Sequence, residues 1–185
     1  MRIAYIFDFD GVLVNTMPAS FAAYKQALAE VNVPIDEGQY YRQAGMTGQE
    51  QIRYFAERAG IAVDVVRVYA RTREIRKEKP LPIDRIEGNL ELLRILRRAG
   101  VPIAIATGSS HQSVEPIISN LGIEVDAIVA SEDVQRGKPF PDLFLRAAEA
   151  LGVPPENCTV IEDSDAGIEA AKAAGMKSFR FFNKI

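Results

Sequence analysis

The chain has one cysteine, one histidine and no excess of positive charge, and each shortage removes a class of protein. Cys158 has no second thiol to pair with, so an internal disulfide is impossible; within the apolar run Cys158 to Ile161 it reads as a small buried hydrophobe. Twenty-two Lys and Arg against 25 Asp and Glu give a net charge of −3, which offers no general attraction to nucleic acid or to an acidic membrane surface. A phosphate-bearing ligand would therefore need locally placed cations or a metal. The N-terminus carries Arg2 and then only five residues before the first acid, too short for a signal-peptide core or a membrane span. A cytoplasmic protein is expected, a monomer by default with a dimer as the alternative. What remains is 185 residues, 48% apolar and 25% charged, enough for one globular domain with a modest insertion.

The chain is organised around Asp8-Phe9-Asp10-Gly11. The uninterrupted apolar run Ile3 to Phe7 predicts a buried strand ending at Asp8. In extended backbone, residues two apart share a face, so Asp8 and Asp10 aim together while Phe7 and Phe9 point away. Gly11 permits the turn that follows. Two carboxylates this close repel, and a shared proton or a hard divalent cation is the usual remedy. Alone, the same residues would also make an acidic turn with Asp as a helix cap.

Beyond Val12-Leu13-Val14, too short to assign, the pattern becomes helical. Phe21, Tyr24, Leu28 and Val31 recur at spacings of three and four within Met17 to Val31, with Asn15 and Thr16 as candidate caps and Pro18 in the first turn. Asn32 to Gly38 reads as a connector. Helices are predicted over Glu50 to Ala59 and Asp64 to Lys79, stopped at Gly60 and Pro80. The second carries Arg67, Arg71, Arg73, Arg76, Lys77 and Lys79, a run that reads first as a solvated face and second as a substrate contact. From Glu87 onward helices alternate with strands at Val101 to Ala106, Ala127 to Ala130, Cys158 to Ile161 and Lys177 to Phe182. This alternation predicts an α/β fold: a parallel sheet covered on both faces, formed by residues 1–14 and 84–185. The helical block 15–83 is an insertion, expected to hang over one edge of the sheet.

In parallel sheets ligands bind outside the carboxyl ends of the strands. Asp8 with Asp10, Thr107 to Ser110, and Glu162 with Asp163 all fall at such ends, and Lys138 follows the third strand by a short loop. Separately these could be an acidic turn, a Ser-capped helix start, an acid-capped helix and a surface lysine. Four coincidences at four strand ends favour one site. Carboxylates without a His, Cys or Tyr cluster suit Mg²⁺, with Asp8, Asp10 and Asp163 as first-choice ligands and Glu162 close behind. Mg²⁺ commonly completes its shell with substrate phosphate. Asp8 would attack phosphorus to form an aspartyl-phosphate, and Asp10 would move the proton. Thr107 and the backbone N–H groups at Gly108 and Ser109, with Lys138, would hold the phosphoryl oxygens. His111 is a rim residue with no assigned role.

The runs Asp8 to Thr16, Ala106 to Ser110, Gly137 to Asp142 and Glu162 to Ala171 resemble, in order, the four motifs of the haloacid dehalogenase superfamily, and most closely its β-phosphoglucomutase-like phosphatases and mutases. The resemblance implies a Rossmann-like core, a helical cap after the first strand, Mg²⁺ and a phosphoenzyme on Asp8. Asp10 resembles the acid/base, Thr107 the phosphate-binding hydroxyl, Lys138 the phosphate lysine, and Asp163 with Glu162 the metal acids.

Three departures qualify the match. Asn15 stands where an acid is usual. Ser20 and Gly48 stand where sugar-phosphate mutases of this branch carry a His and an Arg. Relatives usually continue past Ile185 through a further strand and helix, so an uncovered sheet edge or a truncated chain is expected. The acid two residues after the nucleophile argues against a true dehalogenase. A phosphomonoester hydrolase acting on a small phosphorylated metabolite is therefore expected, with a mutase and a non-enzymatic phosphoacceptor module as the alternatives.

Overall fold

A computed structural model of the chain describes residues 2–43, 46–78 and 83–181. Among these residues the main sheet has five parallel strands, β1 (Ala4–Phe7), β4 (Ile103–Ala106), β5 (Ala127–Val129), β6 (Cys158–Glu162) and β7 (Lys177–Arg180), in the order β5-β4-β1-β6-β7. Phe182, expected at the end of the last strand, lies outside the described residues, as do Lys79 and Pro80 at the end of the cationic helix.

Side-chain alternation feeds two separate cores. Ala4 and Ile6 of β1, Ala104 and Ala106 of β4, and Cys158 and Val160 of β6 pack on one face against α7 (Asp142–Leu151) and α8 (Asp165–Ala173). Phe7, Ile103, Ile105 and Ile161 pack on the other face with Leu90 and Leu93 of α5 (Glu87–Arg98) and Val114 and Ile118 of α6 (His111–Asn120). Phe9 joins Phe7 on that second face, as the two-residue period requires, which leaves Asp8 on the opposite side.

Among the described residues four helices follow β1 before the chain returns to the sheet: α1 (Met17–Ala29), α2 (Glu37–Arg42), α3 (Gly48–Ala59) and α4 (Val65–Glu78). They close around their own core of Phe21, Tyr24, Leu28, Tyr40, Ile52, Phe55, Val68 and Ile75. The chain leaves and re-enters the sheet side by side, because β2 (Val14–Asn15) pairs antiparallel with β3 (Asp84–Arg85). Three sequence expectations are corrected. The segment read as a connector through Gly38 begins α2 at Glu37, because the Asp36 carboxylate accepts from the Gln39 amide at 2.8 Å and caps it. Helix α3 begins two residues before Glu50, at Gly48, because Thr47 and Glu50 form a reciprocal capping box. The insertion does not hang over a sheet edge. It follows the central strand, so it lies over the carboxyl ends of the strands and encloses a cleft there with Asp8 and Asp10. No helix among the described residues is long and apolar enough to cross a membrane.

Candidate active site

Asp8 ends β1, where its amide still donates to the Ile161 carbonyl of β6 at 2.9 Å. Its Oδ1 accepts from Lys138 Nζ at 2.6 Å, and the same ammonium donates to Glu162 Oε2 at 2.7 Å. Lys138 and Glu162 are essentially sealed from solvent, at 1% and 0% exposed, and the 4% exposure of Asp8 is at the cleft. The Lys138 ammonium also sits 5.1 Å from the Phe144 ring centroid. Glu162 is fixed from its other side by the Ser164 amide at 3.0 Å and the Ser164 hydroxyl at 2.6 Å. That hydroxyl in turn accepts from the Gly167 amide and caps α8.

Two glycines make the acids' close approach possible. A Cβ on Gly11, whose φ is +88°, would lie 2.2 Å from an Asp163 carboxylate oxygen, and one on Gly167 would lie 2.0 Å from the Glu162 carboxyl carbon.

Asp8, Glu162 and Asp163 bring carboxylate oxygens within 4.8 Å of one another. Burial, then Glu162, push the Asp8 carboxyl well above its usual range, against the pull of Lys138. Burial and Glu162 likewise raise Asp163 to about 7. Burial alone would lower the Lys138 pKa, but Asp8 and Glu162 more than reverse this and hold it charged. An all-oxygen, crowded acid set of this kind fits a hard divalent cation, which would relieve the repulsion that one ammonium leaves.

Asp10 stands apart from that trio. Expected among the metal acids, its carboxylate is instead turned toward hydroxyls: Thr16 donates to Oδ1, and Ser109 at 2.8 Å and Thr107 at 3.3 Å donate to Oδ2. Thr107, fully buried at the end of β4, also accepts from the Ser109 amide at 3.0 Å and so shapes the loop that presents Gly108 and Ser109 to the cleft. Ser110 precedes α6 but caps nothing with its side chain; its hydroxyl is paired with Ser113 at 2.8 Å. His111 lies at the rim, with Nδ1 2.9 Å from Glu115 and Nε2 2.7 Å from Asp133.

The cap supplies the far wall of the cleft with Ser20, Tyr24, Tyr40, Tyr69, Arg73 and Arg76. The cationic run on α4 is thus split. Arg67 and Lys77 are exposed and Arg71 binds Glu30, Glu74 and Glu78, but Arg73 and Arg76 face the site. Sequence reasoning missed Thr16 as a partner of Asp10, and missed that Tyr69, Thr72, Arg73 and Arg76 form one face at helical spacing.

The family model of haloacid dehalogenase-like hydrolases matches residues 5–181. A beta-phosphoglucomutase of Bacillus subtilis is 33% identical over 183 residues, covering 94% of this chain and 80% of its own. The fructose-1-phosphate phosphatase YqaB of Escherichia coli is 33% identical over 178 residues, 92% of each chain. The crystal structure of a hydrolase from Pseudomonas syringae aligns with a TM-score of 0.87 at 28% identity, over 96% of this chain and 83% of that one.

Proposed function

We propose, from the premise that this chain belongs to the haloacid dehalogenase-like hydrolases, that it is a Mg²⁺-dependent phosphomonoester hydrolase acting on a small phosphorylated metabolite such as a sugar phosphate. The observation that carries the reading is the division of labour between two carboxylates at one strand end. Asp8 is oriented by a buried ammonium, and Asp10 is held by three hydroxyls at the mouth of the phosphate loop.

With Lys138 occupying Oδ1, the other oxygen of Asp8 is left to attack phosphorus. A P–O bond to Asp8 forms as the P–O bond to the substrate alcohol breaks, and Asp10 gives the departing oxygen its proton. Water then attacks the acyl phosphate and yields its proton to Asp10, while the bond to Asp8 breaks and inorganic phosphate leaves. Thr107, Lys138, the Gly108 amide and Ser109 hold the phosphoryl oxygens through both steps. Asp8 and Asp163, with Glu162 and Asp10 at hand, would hold Mg²⁺, which when bound neutralises charge on the transferring group. The core of residues 1–14 and 84–185 carries this chemistry, and the cap of residues 15–83 keeps bulk water from it.

Similarity to the beta-phosphoglucomutase keeps a mutase as the second reading. Ser20 and Gly48, which stand where mutases of this branch carry a His and an Arg, weigh against it. Phosphate release from an aryl phosphate, abolished by a chelator and restored by Mg²⁺, is expected. Isomerisation of a sugar phosphate with no free phosphate would replace the hydrolase by the mutase.

A further inference from the structure

We propose that His111 is a positioning residue: its charged imidazole clamps the phosphate loop to the loop that carries Lys138, and phosphoryl transfer loses efficiency when that ring is deprotonated. The proposal rests on the hydrolase reading above and adds a regulation of the same site.

The two loops leave neighbouring parallel strands, β4 and β5. One carries Thr107, Gly108 and Ser109 and runs into α6 at His111; the other passes through a short helical turn, Ser131–Asp133, on its way to Lys138. Beyond the sheet, hydrogen bonds stitch them together. The Ser131 amide donates to the Ser109 carbonyl at 3.0 Å, the His111 amide donates to Glu132 Oε2 at 3.3 Å, and His111 Nε2 lies 2.7 Å from Asp133 Oδ2. That Asp133 oxygen also accepts from the Ala130 amide at 2.8 Å, so Asp133 is fixed to its own turn and the imidazole reaches across to it. In the hydrolase both loops grip one phosphoryl group, and small misplacements of gripping groups are costly in rate.

The ring has a carboxylate on each side. Glu115, one turn further along α6, lies 2.9 Å from Nδ1, opposite Asp133 on Nε2. Only the imidazolium has an N–H for each of them. A neutral ring has one, so one carboxylate then meets a nitrogen lone pair and the ring is released from between them. The groups facing His111 from its own helix and from the turn are acids: Glu115, Glu132 and Asp133. On the neighbouring helices, Arg73 of α4 donates to Gln112 at 2.9 Å, Arg146 of α7 donates to Glu149 at 2.6 Å, and Arg53 of α3 lines a hollow shared with Glu132. Burial pulls the imidazole pKa down, but Asp133 and then Glu115 more than reverse this and raise it above its ordinary value. A raised pKa leaves the clamp complete at low pH and lost as pH rises through that value.

The experiment measures kcat/KM for phosphate release from an aryl phosphate against pH, at saturating Mg²⁺, in wild type, Glu115→Gln and His111→Ala. It is paired with an NMR titration of the imidazole, which needs no assignment because the chain has one histidine. Wild type should lose activity through the pKa that NMR gives for His111. In Glu115→Gln the new amide can donate to Nδ1 while Nε2–H stays on Asp133, so the clamp survives deprotonation. Its imidazole should titrate at lower pH than in wild type, and its rate should not follow that titration. The ratio of wild type to Glu115→Gln, in which groups common to both cancel, should therefore fall roughly tenfold across the wild-type His111 pKa, the value of a hydrogen bond to a charged group. His111→Ala should show the low alkaline level of wild type at every pH. A ratio that stays level across that pKa, or a His111→Ala profile like that of wild type, overturns the proposal while leaving the hydrolase standing. No phosphate release by wild type at any pH overturns the hydrolase reading, and this proposal with it.

Discussion

Lys138 holds two buried carboxylates together, and replacing it with methionine separates charge from volume. Met preserves most of the aliphatic stem, so the change removes chiefly the ammonium, which lies 2.6 Å from Asp8, 2.7 Å from Glu162 and 5.1 Å from the Phe144 ring centroid. Breaking a buried pair by deleting one partner costs about 3–5 kcal/mol, because the surviving charge is left uncompensated. Against a typical total stability of about 5–15 kcal/mol this is a large share. With a urea m-value of about 2 kcal/mol/M, the midpoint should fall by roughly 2 M, measured near pH 8 with chelator present. The deficit should shrink on acidification. Burial already raises Asp8 above its ordinary value against the pull of Lys138, and with Lys138 gone that pull is lost, so Asp8 protonates in the folded state at higher pH than in the unfolded chain; Lys138→Met becomes less stable as pH rises and recovers as it falls. Adding Glu162→Gln to Lys138→Met should recover part of the loss at pH 8, since one uncompensated charge is removed. Midpoints for Lys138→Met within about 0.5 M of wild type at pH 8 would refute the reasoning, because no plausible m-value converts so small a shift into a broken buried pair.

The other consequences concern the acids and the glycine beneath them. Burial and Glu162 raise Asp163 from 3.8 to about 7, so the folded chain binds more protons than the unfolded one across that window, and metal-free stability falls as pH rises through it. The contribution is at most about 4 kcal/mol, and the test is that Asp163→Asn flattens this slope relative to wild type in chelator. Mg²⁺ at about a hundred times its dissociation constant should return about 3 kcal/mol to wild type near pH 8, and much less to Asp163→Asn. Gly167→Ala places a methyl 2.0 Å from Glu162, so a loss of about 1–3 kcal/mol is expected in thermal or urea melts, with weakened Mg²⁺ stabilisation.

Much of this was legible because the governing rules are local. The apolar run before Asp8 and the alternation that separates Phe7 and Phe9 from Asp8 follow from strand geometry, and Phe9 does pack with Phe7. The resemblance read from the four motifs agrees with the family match across residues 5–181. Contacts that depend on the path of the chain were not legible. Thr16 reaches Asp10 because the chain turns back after Gly11, where the Gly11 amide donates to the Val14 carbonyl and the Val14 amide to the Phe9 carbonyl, and so short a turn leaves no periodic signal. Asp10 left the acid cluster because nearby hydroxyls compete for its carboxylate, a choice that spacing does not express. Helix α2 was missed because six residues are too few for a period, although its cap at Asp36 could have marked it. The charge run on α4 hid a direction, since counting cations does not show which of them share a face with Tyr69.

The central claim is that Asp8 carries the phosphoryl group, and acid quenching during turnover of an aryl phosphate tests it most directly. An aryl leaving group needs little protonation, so in Asp10→Ala the first step should persist while hydrolysis of the acyl phosphate slows, and the intermediate should accumulate. Mass spectrometry of the quenched, digested protein should then find one added phosphoryl group on Asp8, absent from Asp8→Asn. Phosphate release with no label on Asp8, or with the label on another residue, would contradict the account.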